Sequence, residues 1–516
     1  MAIKKKNNRN QIRVFLWGKE IGTLTWAQDR QLAYFHFSED YFREPYDLCP
    51  ITHPKNEPET RFAIYGESLK SPDTDTRIYQ GLPPFIADAL PDAWGNAIFN
   101  EWFDAHKLPP SEKTPLAKLS FIGNRAMGAL EFKPMMDPGF YEDKKIDLKE
   151  LYEQSLRIEQ SLSKKALRPE EADIEKIAAL GTSPGGSRKK AILCIAPDGT
   201  IHSGKTDAPE GWKHCIIKFN TPHYSLSEIE KTYYDLATTA RIPMMPSSLM
   251  EIKGTQHFLT ERFDRRNGEK IMMQTLAAMN PSANTYEDLF QTCRKLGLNE
   301  KEISTLFRQT AFNFLMNNTD DHKKNFTFLM GKDGTWHLSP AYDLTFIISE
   351  NGNAPETNHC MSLQGKLSGV DENDLLAFAE KNNIKNPSRI IKEIRNASTL
   401  FEEKARQNGV NAYYTEMISK RLDELGRPHQ AGISKNEPLK VSGHKISDVR
   451  IEMSMKGNLH VLANIDGKER RAVITPKKKD YEDILKSGLD NIPAEQKKRT
   501  LKRIFKNILQ QQTPGS

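Results

Sequence analysis

The stretch NNTDDHKKNFTFLMGKDGTWHLSPAYDL, residues 317–344, decides the reading of this 516-residue chain. Upstream, Ile303, Leu306, Phe307, Ala311, Phe314 and Leu315 lie at helical spacing, and the helix stops in NNTDDH. Asp320 sits in the loop that follows, and Asn325 stands five positions later. A strand, a Gly-containing turn and a second strand come next, with Asp343 just past them. One half of the constellation is thus on a loop and the other at the far end of a hairpin, and the hairpin brings them together. Two other readings stay open on these residues alone. Asp and Asn cap helices and shape turns, and Asp320, Asp321 and His322 form a possible metal-ligand run.

Phosphoryl transfer needs these parts: a carboxylate to orient and deprotonate a hydroxyl, and an Asn plus an Asp to hold Mg²⁺ on phosphates. Protein kinases write the first half H-R-D-x-x-x-x-N and the second D-F-G. Here Asn318 and Thr319 replace His-Arg, Leu344 and Thr345 replace Phe-Gly, and the D-x-x-x-x-N spacing survives. Toward the N-terminus, ERFDRR at residues 261–266 follows the strand HFLT, where a kinase places its hinge. A charged strand end reads the same way. Lys218, in IIKF, is flanked by apolar residues inside a predicted strand, so it either snorkels at an edge or pairs with an anion. Glu230, twelve residues on, falls on the following helix, in the order of the kinase strand Lys and helix Glu. GTSPGG, residues 181–186, opens like a Walker A loop, but Ser187-Arg188 stands where Lys-Ser/Thr is required, and a strand follows instead of a helix. A phosphate-covering loop between strands fits better, with Gly185, Gly186 and Ser187 against the nucleotide; a plain turn is the alternative. Each element is common by itself. Their shared order predicts a kinase-like site for ATP and Mg²⁺.

Further out, IRVFLW and GTLTWA flank a turn at Gly18 to Glu20 and predict a hairpin, and AYFHFSEDYF continues the β pattern. The text becomes helical past Asp92; residues 119–132 read as a loop and a short strand, and Pro138 and Gly139 mark a boundary. Helical text fills residues 147–180. Past Pro428, three β runs with turns at Lys456-Gly457 and Asp466-Gly467 precede two helices over residues 481–512. The expected architecture is α+β and two-lobed, like a protein kinase. A β-rich subdomain spans 1–135, an ATP-binding lobe 136–265, a helical lobe 266–428 and a basic extension 429–516.

Composition excludes other classes. With 37% hydrophobic and 28% charged residues, 30 Gly and 29 Pro, the chain is neither collagen-like nor wholly disordered. No apolar run approaches the roughly 18 residues of a membrane span, and MAIKKKNNRN lacks a signal's apolar stretch. Cys49, Cys194, Cys215, Cys293 and Cys360 are scattered, which points to reduced thiols in a cytoplasm. The net charge of +6 is uneven: residues 431–516 hold 18 basic and 10 acidic residues, or +8, leaving −2 for the rest.

Several of these stretches resemble the HipA toxin kinases of bacterial toxin–antitoxin systems, over about residues 12 to 425. LPPFIADALPDAWG (82–95) and FIGNRAMGALEF (121–132) are similar to the family's N-terminal signatures. GTSPGGSRKKA (181–191), ERFDR (261–265), TDDHKKNF (319–326) and LSPAYDL (338–344) are similar to its kinase-core signatures. The resemblance implies Asp320 as the catalytic aspartate and Lys324 near the transferred phosphate. It implies Asn325 and Asp343 as Mg²⁺ ligands, Lys218 on the ATP phosphates, and the backbone from Glu261 to Phe263 on adenine. It also implies inactivation by autophosphorylation in the Gly-rich loop, at Thr182 or Ser183. Family members phosphorylate a protein Ser or Thr, aminoacyl-tRNA synthetases among them, and are held in check by a small DNA-binding antitoxin. The rival readings are a catalytically silent corepressor on an antitoxin–DNA complex and a small-molecule kinase. The basic extension lies outside the resemblance. Its last helix puts Leu501, Ile504, Phe505, Ile508 and Leu509 on one face and Lys and Arg on the rest, which suits docking on its own module, nucleic acid or a membrane surface.

Overall fold

Strict alternation makes the first strands. In the computed structural model, QIRVFL forms β1 (Gln11–Leu16), burying Ile12, Val14 and Leu16 while Gln11 and Arg13 face solvent. The described residues are 10–69, 76–136, 145–164, 188–203, 208–220, 225–348 and 354–427, with strand backbone at 439–441, 444–453, 459–466 and 468–474. The Gly-rich loop at 181–187 and the helices expected over 481–512 lie outside them. So do residues 165–180 of the helical text and the Pro138-Gly139 break.

β1 pairs antiparallel with β2 (Lys19–Ala27). The turn sits one step earlier than the sequence suggested: Trp17 and Gly18 both take positive φ, 49° and 79°, so Lys19 already begins β2. Two left-handed residues in succession give the turn whose twist matches the flanking strands. β3 (Leu32–Phe37), β4 (Ile64–Tyr65) and β5 (Leu130–Lys133) complete an antiparallel sheet ordered β4-β3-β2-β1-β5. Among the described residues, three α-helices lie between β4 and β5: α1 (Pro84–Ala87), α2 (Ala93–Ala105) and α3 (Pro115–Ile122). The last corrects the expected loop at its start. Thr114 caps α3 by accepting the Ala117 N–H at 3.2 Å and Pro115 opens it, a start signal outweighed in the sequence by the Gly residues downstream.

A second antiparallel sheet follows α4 (Leu148–Lys164): β6 (Lys190–Ile195), β7 (Ile201–Ser203), β8 (Lys213–Lys218), β9 (Ser247–Ile252) and β10 (Thr255–Glu261), ordered β7-β6-β8-β10-β9. One face carries Ala191, Leu193, Cys215 and Ile217 into a core shared with Phe99, Trp102 and Phe103 of α2 and Leu151 and Tyr152 of α4. Helix α5 (Leu226–Thr239) connects β8 to β9 and packs on β9 and β10.

Helices then dominate. α6 (Tyr286–Lys295) and α7 (Glu300–Leu315) begin with capping boxes, Thr285 with Asp288 and Asn299 with Glu302. α7 buries all six of its apolar positions noted above. It stops where Asn317 enters the left-handed region at φ 55°; Asn317 Oδ1 accepts from Arg421 Nε at 2.7 Å and its Nδ2 donates to Glu356 O at 2.8 Å. A small sheet of β11 (Met272–Thr275), β12 (Thr327–Met330) and β13 (Trp336–Leu338) carries the loop that follows. α8 (Glu372–Lys381), α9 (Pro387–Ser398), α10 (Phe401–Gln407) and α11 (Ala412–Glu424) complete this region. Beyond it, an antiparallel sheet runs β14 (Leu439–Val441), β15 (His444–Met453), β16 (Leu459–Ile465) and β17 (Lys468–Ile474), one strand more than the three expected. The fold is mixed α and β with antiparallel sheets, the expected α+β class, β-rich at its start and helical toward residue 427. No helix among the described residues is long and apolar enough to cross a membrane.

Candidate active site

Alternation in β8 explains how a lysine comes to lie in a cleft. Cys215 and Ile217 point into the core shared with α2 and α4, so Ile216 and Lys218 face the other way. That side is a cleft between the second five-stranded sheet and the loop after β13. Lys218 Nζ donates to Glu230 Oε1 at 2.5 Å and also contacts the Asp343 carboxylate. Glu230 comes from α5, and its other oxygen accepts from Arg188 Nη1 at 2.6 Å, while Arg188 Nη2 reaches Ser227 Oγ at 3.0 Å. The sequence-paired Lys218 and Glu230 therefore meet, and neither is an edge residue: Lys218 is 9% and Glu230 3% exposed.

Charge balance follows from this packing. Burial opposes the Lys218 ammonium, but Asp343 and Glu230 outweigh it and raise its pKa. Burial likewise opposes the Asp343 carboxylate, and Lys218 and then Lys190 overcome it, holding its pKa below the ordinary value. The Asp343 backbone sits at φ 52°, a conformation Asp tolerates at some cost, which turns it out of the chain after β13.

The loop after α7 is pinned by its own backbone. Asn325 N–H donates to His322 O at 2.8 Å, and Asn325 Nδ2 donates to Asp320 O at 2.6 Å. Spending the amide nitrogen this way leaves the Asn325 side-chain oxygen as its acceptor. Asp320 keeps half of its side chain exposed, with His322 Nε2 3.6 Å from Oδ1. Partial burial raises its pKa, Asp343 and Asp321 add to the rise, and His322 and Lys218 oppose it. Lys324 lines the cleft, and its carbonyl accepts from Tyr342 Oη at 2.6 Å, which ties the loop to the residue before Asp343.

Asp321 overturns the three-residue metal alternative. It is 1% exposed and accepts from Tyr286 Oη at 2.6 Å, from the His359 ring at 2.8 Å and from Cys360 N–H at 2.8 Å. It braces the loop from behind while Asp320 faces out. Among the described residues no three His, Cys, Asp or Glu side chains converge on a metal position. An Asn oxygen with the Asp343 carboxylate is instead an all-oxygen set suited to Mg²⁺, which keeps most of its remaining coordination in water and phosphate.

At the hinge, Glu261 ends β10 and accepts from Lys213 Nζ at 2.7 Å, and the Phe263 ring packs against Tyr342 with centroids 5.4 Å apart. Both Glu261 and Phe263 line the cleft, as do Phe258, Met273 and Leu344. Thr182, Ser183, Gly185, Gly186 and Ser187 lie outside the described residues.

The sequence reading missed four groups. Asp88 and Lys190 line the cleft, and Asp92 pairs with Lys190 at 2.8 Å. Asp264, fully buried, binds Arg262 Nη2 and Arg265 Nη1 at 2.7 Å each and accepts the Gly128 N–H at 2.6 Å. Arg265 also donates to Gly128 O and Ala126 O, so the hinge is locked to the first region of the chain. Both Asp88 and Asp92 stand within FIADALPDAW, where two carboxylates amid apolar residues were the available signal.

Comparison with known proteins gives the family and the fold. Residues 12–133 match the HipA N-terminal domain, and residues 182–401 match the HipA-like C-terminal domain. No curated protein sequence matches the chain. A structure of the Shewanella oneidensis MR-1 toxin–antitoxin system HipA, HipB and operator DNA complex is similar at TM-score 0.53 and 15% identity, covering 80% of this chain and 97% of that one. The Helicobacter pylori proinflammatory kinase CtkA aligns at TM-score 0.32 and 12% identity, over 41% of this chain and 86% of that one.

Proposed function

The chain belongs to the HipA family, and from that premise we propose that it is an ATP- and Mg²⁺-dependent serine/threonine protein kinase, the toxin of a toxin–antitoxin pair. The observation that carries this reading is the meeting of Lys218, Glu230 and Asp343 from β8, α5 and the loop after β13, beside a loop bearing Asp320 and Asn325. Three separate elements deliver complementary charges to one cleft, which a merely structural ion pair would not require.

In this mechanism Glu230 orients Lys218, and Lys218 positions the phosphates of ATP. Asp320 accepts a hydrogen bond from the acceptor Ser or Thr hydroxyl, aligns it for in-line attack on the γ-phosphate, and takes its proton as the new P–O bond forms and the bond to the β-phosphate's bridging oxygen breaks, releasing ADP. Lys324 lies beside the transferred group. Asn325 and Asp343 would hold Mg²⁺, which when bound neutralises charge on the phosphate oxygens. The Glu261–Phe263 backbone takes the adenine edge, with Phe258 and Met273 as apolar walls.

The acceptor is a protein Ser or Thr, with an aminoacyl-tRNA synthetase as the proposed target, and Thr182 or Ser183 as an internal one. A small DNA-binding antitoxin is the proposed partner, by likeness to the Shewanella assembly. Incubation with labelled ATP and Mg²⁺, alone and with a lysate, tests the reading. Transfer is expected from the wild type and absent from Asp320→Gln, which still binds ATP by calorimetry. Equal labelling by both proteins refutes the assignment of Asp320. ATP binding without any transfer, to itself or to lysate proteins, favours the silent corepressor.

A further inference from the structure

One short segment of the first region reaches both sides of the cleft. Phe85, Ile86 and Ala87 of α1 are buried in the main core, and Ala89 and Leu90 follow them, which fixes the backbone between two carboxylates. Asp88 accepts from Thr275 N–H and Thr275 Oγ1, each at 2.7 Å, at the end of β11. Asp92, four residues on, turns to the other side. Its Oδ1 caps α2 by accepting the Gly95 N–H at 2.7 Å, and its Oδ2 lies 2.8 Å from Lys190 Nζ. The Lys190 and Asp92 side chains are 5% and 2% exposed.

Lys190 is not remote from the chemistry. It stands directly opposite Lys218 in the β6–β8 register, and both line the cleft. Two ammonium groups on neighbouring strands repel unless each has its own carboxylate. Glu230 serves Lys218, and Asp92 serves Lys190. The two pairs are built alike: a strand lysine facing the cleft, held by a carboxylate from a helix or helix cap behind it. The difference is that Asp92 comes from the region that precedes the kinase-like sheet.

We propose that Asp92 is a positioning residue for nucleotide binding: it holds Lys190 beside Lys218, so that the first region of the chain completes the cation pair that receives the phosphates of ATP. This rests on the reading of the cleft as an ATP site. A simple capping role does not require a carboxylate, because Asn and Ser cap a helix as well as Asp does. The ion pair does require one, so capping and positioning separate by substitution.

The test uses the full chain. Asp92→Asn and Asp92→Ser keep the cap and remove the charge. Both are expected to raise the Kd of Mg-ATP by calorimetry, and KM for ATP in phosphotransfer, on the order of tenfold, with kcat within about threefold. Lys190→Met should weaken ATP binding to a similar degree, and adding Asp92→Asn to it should do nothing more, since the carboxylate acts through that lysine. Melting curves monitor folding, and the Ser and Met variants carry the test where the Asn variant melts early. Wild-type affinity in both Asp92 variants overturns the proposal. So does tighter ATP binding, the result for a carboxylate that only competes with the phosphates, and so does a full further loss in the double variant. If the wild type itself binds no ATP, the functional reading falls and this proposal with it. Failure of the proposal alone shows as variants that bind like a wild type which does bind.

Discussion

Asp320 and Asp343 answer to different neighbours, and their variants should separate. Asp343 is held ionised by Lys218 and Lys190 against its burial. Replacing it with Asn removes a charged metal ligand and leaves Lys218 with Glu230 alone. Calorimetry should then show Mg²⁺-dependent ATP binding weakened by about tenfold or more, with binding in the absence of Mg²⁺ much less affected; an unchanged difference between the two conditions counts against the metal role. Asp320 has the opposite bias, its pKa raised by partial burial and by Asp343 and Asp321. A base must be unprotonated to act, so turnover falls as pH drops through that raised value. His322 holds the value down from 3.6 Å away. His322→Ala should therefore move the acid limb of the kcat profile to higher pH, and a limb that stays or moves down contradicts this electrostatic account. Asp320, Asn325, Asp343, Lys218 and Glu230 were legible in the sequence because their spacing is set by one loop, one hairpin and one helix. Asp88, Asp92 and Lys190 were not, because their meeting depends on how a distant region packs, which no local spacing encodes.

Helix α5 and the hinge show what burial of charge does to an element. Glu228, on the first turn of α5, is 9% exposed and accepts from Asn220 Nδ2 at 3.0 Å. Burial pushes its pKa up to about 7 from 4.5. Between those values the folded chain holds a proton that the unfolded chain has released, so stability falls as pH rises across the window. Glu228→Gln lacks that loss. Its melting temperature should exceed that of the wild type at pH 8, by the equivalent of up to about 3 kcal/mol, and the gain should vanish near pH 4.5. A gain that is constant with pH would point to packing instead. The hinge triad behaves the other way, since Asp264 is buried yet held well below the usual carboxylate range by Arg262 and Arg265. Asp264→Ala leaves two buried guanidinium groups unmatched and frees the Gly128 N–H, for an expected loss of about 3–5 kcal/mol in a denaturant melt. The strands and helices themselves were readable from period and caps. The turn at Trp17-Gly18 and helix α3 departed from the expectation where Gly residues drew the boundary away from where the capping and turn geometry put it, and β14, α1 and α8 to α11 were not anticipated as separate elements.

At the scale of the whole chain, the sign of the charge depends on which part is counted. The first 430 residues sum to −2, and residues 431–516 to +8. A near-neutral body does not steer an anionic nucleotide by its overall field, and at physiological salt a charge is screened beyond about 8 Å. On the proposed reading, the attraction for ATP comes from Lys218, Lys190 and Lys324, which line the cleft itself. Every residue assigned to the site precedes residue 428, and among the described residues β15 packs against α11. A chain ending at 428 should accordingly keep kcat/KM for ATP within about twofold of the full chain at 0.15 M salt, although uncovering α11 lowers its melting temperature. Substituting Lys190 or Lys218 should instead weaken ATP binding equally in both lengths. A truncated chain that folds but loses ATP affinity, with the loss reversed at low salt, would show that the basic tail supplies a long-range field after all.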